Sequence, residues 1–126
     1  LWHILVDDKD LVLKVKFYQT DSGNEPVRNW LKRLDPDVRR VIGEDIKAVQ
    51  FGWPLGMPLV RKLEPDLWEV RSSIRNGIAR VFFTTLDGYM VLLHAFVKQA
   101  QKTPPNELET ARRRLSHVQR EDSDYE

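Results

Sequence analysis

Residues Leu13-Lys14-Val15-Lys16-Phe17 alternate strictly between apolar and polar, the period-two pattern of a half-buried strand. Asp21-Ser22-Gly23-Asn24 has the composition of a turn. Pro26 suits the first turn of a helix, where its missing N–H costs nothing. Val27, Trp30, Leu31 and Leu34 then fall at the spacing of one apolar helix face. Asp35-Pro36 ends that helix and starts a second, with Asp35 as N-cap. Its buried stripe is Val38, Val41, Ile42, Ile46 and Val49, and Gly52 closes it.

The segment Gly52-Trp53-Pro54-Leu55-Gly56-Met57-Pro58 cannot be regular structure. Strands are expected over residues 67–74, 78–85 and 89–97, with a short extended stretch at 59–63 before them. Asn76-Gly77 and Asp87-Gly88 separate the three strands, and both dipeptides favour two-residue type I′ turns. Thr103-Pro104-Pro105 opens a last helix, whose apolar stripe is Leu108, Ala111, Leu115 and Val118. Arg112, Arg113 and Arg114 lie on its far side. The order is strand, two helices, three strands, helix. It implies an α+β fold in which an antiparallel sheet carries an N-terminal helix pair and a C-terminal helix. One domain is expected over residues 13–120. Residues 1–12 read as a leader or an extra edge strand, and 121–126 as a frayed acidic tail.

Composition adds limits. The chain has 126 residues, 41% hydrophobic and 31% charged, an ordinary globular balance. It has no cysteine, which excludes disulfides and thiolate metal sites and fits a reducing compartment. No apolar run spans a bilayer, and residues 1–6 lack the basic flank of a signal peptide; a cytoplasmic location is expected. The formal net charge is only +1, but residues 1–10 and 121–126 hold seven of the 19 acids and one of the 20 bases. The remaining body is basic, as suits a polyanionic partner such as RNA, or an acidic protein.

The turns suggest where the bases meet. If Asn76-Gly77 is a two-residue loop, Ser73 faces Arg80 and Arg71 faces Phe82. Arg71 and Arg80 then project from one face of the sheet. A two-residue loop at Asp87-Gly88 sets Arg80 opposite Ala95, with Lys98 just past the strand end. Two guanidiniums and an ammonium at one end of a sheet suit a phosphate, which arginine meets with paired donors and lysine as a point charge. Glu69 shares the Arg71 face and reads as an ion-pair partner, with a general base as the alternative. His94 falls on the face opposite Arg80 and reads as a hydrogen-bonded core histidine. No pair among His3, His94 and His117 has metal-ligand spacing, and no carboxylate cluster accompanies them; no metal or other cofactor is expected. Arg61, Lys62, Arg75, Lys102 and Arg113 are the further bases suited to an RNA backbone. Trp53 and Trp68 read as packing, and Tyr89 as partly exposed.

Several stretches together resemble a known family. They are Phe17, Pro26-Val27-Arg28-Asn29-Trp30-Leu31, Lys62-Leu63, Leu67-Trp68-Glu69-Val70-Arg71, Ala79-Arg80-Val81-Phe82-Phe83, and the run from Leu92-Leu93-His94 through Lys98 to Lys102-Thr103-Pro104. The chain is similar over residues 14–120 to the HigB-like branch of the RelE/ParE toxins, in its phage-derived Gp49-like group. The resemblance implies a RelE-like microbial RNase-type fold and a toxin–antitoxin pair with a helix-turn-helix antitoxin. It also implies a ribosome-dependent, metal-independent endoribonuclease that cuts mRNA by attack of a 2′-hydroxyl on the adjacent phosphate. It places Arg71, Arg80 and Lys98 at basic catalytic positions. The chain departs from many RelE relatives in having Phe82 and Phe83 where they carry a tyrosine, and it lacks the Asp-Tyr-His patch of some HigB toxins. Two other readings follow from the same superfamily: a ParE-like toxin that poisons gyrase, and an inactive antitoxin-binding module.

Overall fold

The computed structural model describes residues 10–75, 77–98 and 104–124. The elements run β1 (Lys14–Phe17), α1 (Pro26–Lys32), α2 (Pro36–Gly52), β2 (Val60–Glu64), β3 (Leu67–Ile74), β4 (Gly77–Leu86), β5 (Tyr89–Lys98) and α3 (Pro105–Asp124). Both N-terminal helices carry proline in their first turn, and Asp35 is the α2 N-cap, although its carboxylate makes no capping hydrogen bond. α3 continues to Asp124, so residues 121–124 are helical rather than a frayed tail. Among the described residues no helix is long and apolar enough to cross a membrane.

The five strands form one sheet in the order β1-β5-β4-β3-β2. Neighbours are antiparallel except β1, which pairs in parallel with β5. A parallel pair needs a long crossover, and here everything from α1 to β4 lies between the two strands. Apolar residues on the two sheet faces are claimed by different helices. Val27 of α1 and Ile42, Ile46 and Val49 of α2 pack with Val70, Val81, Phe83 and Leu92. Ala111 and Leu115 of α3 pack with Leu67, Phe82, Val91, Leu93 and Phe96. β4, covered on both sides, is buried from Ala79 through Thr84. Trp53 fixes the segment after α2 by packing edge-on against Trp68 and Phe83, at 5.1 and 5.5 Å between ring centres.

Two registers differ from expectation. Ile74 pairs with Gly77, so Gly77 belongs to the β3–β4 ladder rather than to the loop; Asn76 lies outside the described residues. The pairing therefore slides by two residues, and Arg71 sits directly opposite Arg80. The β4–β5 turn is Asp87-Gly88, with φ of 53° and 81°, both left-handed as a type I′ turn requires. Beyond it the ladder shifts by one residue: Phe83 pairs with Leu92, but Phe82 pairs with His94. Leu93 is thus the extra residue of a bulge, which changes which face the rest of β5 presents.

Candidate active site

Three cross-strand rows build the site, on the sheet face that α3 also packs against. The first is Arg61, Glu69, Phe82 and His94. The second is Arg71, Arg80 and Phe96, and the third is Ser73, Ile78 and Lys98. α3 claims the apolar residues of this face around Leu63, Leu67, Leu86, Val91 and Leu93. Phe82 and Phe96 pack edge-on, 5.3 Å apart, between that cluster and the bases.

At the centre is a buried ion pair. Glu69 is 0% exposed and Arg80 3%. Arg80 Nη1 donates to both carboxylate oxygens, each at 3.0 Å. Arg71 Nε lies 4.0 Å from the same carboxylate, with its side chain 24% exposed. Arg80 Nε is buried without a hydrogen-bond partner among the described residues. Lys98 is buried as well. Its pKa falls below the ordinary 10.5, first because burial disfavours the charged form and next because Arg80, Arg61 and Arg71 repel it, while Glu69 pulls the other way. Four cations therefore share a field with one carboxylate, a surplus of positive charge in a partly desolvated place. Such a place attracts a phosphate. The irregular segment after α2 borders it: Leu59 O accepts from Arg71 N at 2.8 Å, and Met57 Sδ lies 3.9 Å from Arg71 Nη1.

Of the expected site residues, Arg71, Arg80 and Lys98 come together, and Arg61 joins them. Lys62 does not: its ammonium lies 5.8 Å over the Trp68 ring, and that ring packs on the α2 side of the sheet. Arg75 stands in the β3–β4 turn and donates to Asp37 at 2.6 Å. Arg113 is exposed on α3, and Lys102 lies outside the described residues. The three arginines of α3 are not one solvated face. Arg112 Nε donates to both oxygens of Glu64 at 2.9 and 3.0 Å, which lowers the Glu64 pKa. Arg114 is half-buried, donates to Leu93 O at 2.8 Å, and lies 5.4 Å over the Tyr18 ring.

His94 corrects the sequence reading. Because of the bulge it projects from the same face as Arg80. It stacks on Phe96 at 5.8 Å, with Nε2 3.0 Å from Glu107 and Nδ1 3.3 Å from Arg114. Arginine only donates, so Nδ1 accepts, and in the neutral ring Nε2 carries the proton to Glu107. With both nitrogens engaged, His94 ties β5 to α3. His117 does have carboxylate neighbours, contrary to expectation. Its Nε2 lies 3.3 Å from Asp21 and 3.1 Å from Glu121, a grouping with metal-ligand spacing. Both carboxylates are exposed, and Tyr18 holds Nδ1 at 2.8 Å. Helical periodicity places Glu121 one turn after His117, but nothing local in the sequence marks Asp21 as their neighbour.

A family model described as phage-derived protein Gp49-like (DUF891) matches residues 29–116, a span that includes every residue of the basic cluster. No curated protein matches the chain.

Proposed function

The chain belongs to the phage-derived Gp49-like family, a RelE/HigB-type toxin family, and from that premise we propose that it is a ribosome-dependent mRNA endonuclease. The family suggests the toxin of a toxin–antitoxin pair, with an antitoxin as partner. The observation that carries the finer reading is the buried Glu69–Arg80 pair with Arg71 and Lys98 on the same sheet face.

In this reading the mRNA is held in the ribosome with one phosphate over the cluster. The 2′-oxygen attacks the adjacent phosphorus, so an O2′–P bond forms and the P–O5′ bond breaks. The products are a 2′,3′-cyclic phosphate and a free 5′-hydroxyl. Negative charge grows on the non-bridging oxygens in the transition state. Arg71 and Arg80 stabilise it there, where low polarity strengthens each donor. Lys98 takes the proton from O2′. Burial and its cationic neighbours lower its pKa, which enlarges the neutral fraction that a base needs. The same cations orient the phosphate, and orientation alone supplies a large part of such a rate. Phe82 and Phe83 are fully buried and offer no hydroxyl; in this reading the leaving 5′-oxygen takes its proton from solvent.

Mapping the 5′ ends of a translated message with purified protein tests this. Wild type is expected to cut within the ribosomal A site, and Arg80→Ala to lose the activity while still folding. A wild-type protein that leaves the message intact removes the reading.

A further inference from the structure

We propose that Glu69 is a positioning residue of the phosphate site, holding Arg80 by Nη1 so that its Nε/Nη2 edge is the one presented to phosphate. The inference rests on the endonuclease reading only for the identity of the phosphate. A guanidinium meets a phosphate best with two parallel N–H groups. Nε–H and the outer Nη2–H make one such edge. Glu69 leaves that edge alone, because both of its oxygens take Nη1, at 3.0 Å each.

Three observations support a directed grip over a mere buried pair. Glu69 is itself 0% exposed, so substrate does not touch it. Arg80 Nε is buried and unpartnered among the described residues, a donor whose desolvation is otherwise uncompensated. Three further cations of this sheet face, Arg61, Arg71 and Lys98, act in the same field, so without a fixed anion the guanidinium is repelled from its place. Arg80 is nearly inaccessible, and Arg71, directly opposite it on β3, is partly exposed, so phosphate meets Arg71 first and reaches the Arg80 edge only with local side-chain movement. Glu69 thus acts through Arg80. It also raises the Lys98 pKa against the three arginines, which gives a second readout.

The experiment uses a 2′-deoxy trinucleotide, which offers phosphate but lacks the attacking hydroxyl, and follows the Arg80 Nε–H signal by NMR. In wild type this signal moves as the trinucleotide is added. In Glu69→Gln, with a native backbone spectrum, the trinucleotide still binds through Arg71 and Lys98 but the Arg80 signal stays in place. On ribosome-bound mRNA the same variant loses about 100-fold in kcat, the scale of a small misplacement, while KM stays within about threefold. The limb of its pH profile governed by Lys98 moves to lower pH. Glu69→Asp, which keeps the charge but shortens the reach, falls between the two and serves if Glu69→Gln does not fold. A wild-type Arg80 signal that ignores the trinucleotide overturns the inference, as does a Glu69→Gln or Glu69→Asp protein with wild-type kcat and pH profile. A wild type whose signal moves but which cuts no RNA sinks the endonuclease reading and leaves Glu69 its role.

Discussion

The Glu69–Arg80 pair makes a strong prediction about stability. Replacing Glu69 by Ala leaves a guanidinium that is 3% exposed, in the field of Arg61, Arg71 and Lys98 and without its anion. Removing one member of a buried ion pair costs about 3–5 kcal/mol, and these neighbours put Glu69→Ala at the upper end. Arg80→Ala should cost less, because Arg71 is only 4.0 Å from the orphaned carboxylate and one repulsion on Lys98 disappears. A domain of this size has about 5–15 kcal/mol of total stability, so Glu69→Ala takes away a large share of it, while Arg80→Ala leaves the protein folded. With about 2.1 cal/mol/K of unfolding entropy per residue, the loss corresponds to a Tm fall of about 10–20 °C. Replacing both residues by apolar ones of similar volume, Glu69→Leu with Arg80→Met, should recover most of the loss, because no buried charge is left unpaired. Urea titration followed by the fluorescence of Trp53 and Trp68, which pack beside Phe83, measures all four proteins. The reasoning fails if Glu69→Ala costs less than about 1 kcal/mol, or if the double variant costs the sum of the single ones.

Other outcomes follow from the same geometry. Lys98→Met should raise stability at neutral pH: the folded-state pKa lies below the ordinary 10.5, so charging Lys98 opposes folding fully below the folded value and not at all above the unfolded one. The gain should therefore shrink as pH rises from the folded value and be gone above the unfolded one, as chemical denaturation at neutral and alkaline pH will show, while RNA cleavage by this variant should be lost. Arg61→Ala should weaken RNA binding, whereas Lys62→Ala, on the Trp68 side of β2, should leave it within about twofold by fluorescence anisotropy, since each phosphate contact acts locally. Gly88→Ala should cost about 1 kcal/mol in the same urea assay, because φ is 81° there and an L side chain disfavours that region.

Much of this fold was legible because its signals are local. Pro26 and Pro36 mark helix starts, Asp87-Gly88 specifies its turn, and the apolar stripes of α2 and α3 identify their buried faces. Pairing is less local, and the two register errors had different consequences. Between β3 and β4 the observed register differs by two residues from the one that a two-residue Asn76-Gly77 loop implies, and an even slide keeps every side chain on its face. Arg71 and Arg80 therefore stayed together. Between β4 and β5 the bulge at Leu93 shifts the ladder by one, and an odd shift flips the face. His94 was consequently placed on the wrong side. Nothing in the apolar run Val91-Leu92-Leu93 distinguishes a bulge from a regular strand. The parallel pairing of β1 with β5 was equally hidden, because alternation reveals a buried face and not a partner. The bond from His94 to Glu107 and that from Arg112 to Glu64 join residues far apart along the chain or across elements, and depend on how α3 lies on the sheet.

The most direct test of the account is end analysis of a translating message exposed to purified wild type, Arg71→Ala, Arg80→Ala and Lys98→Met. Wild type should cut at A-site codons, leaving a 2′,3′-cyclic phosphate upstream and a 5′-hydroxyl downstream. Each variant should lose about 100-fold or more, the scale of removing a transition-state donor for the two arginines and a general base for Lys98. Intact message with wild type, or cleavage undiminished when Arg71 and Arg80 are both removed, contradicts the account; intact message together with gyrase-dependent DNA breaks would point instead to a toxin of the ParE kind.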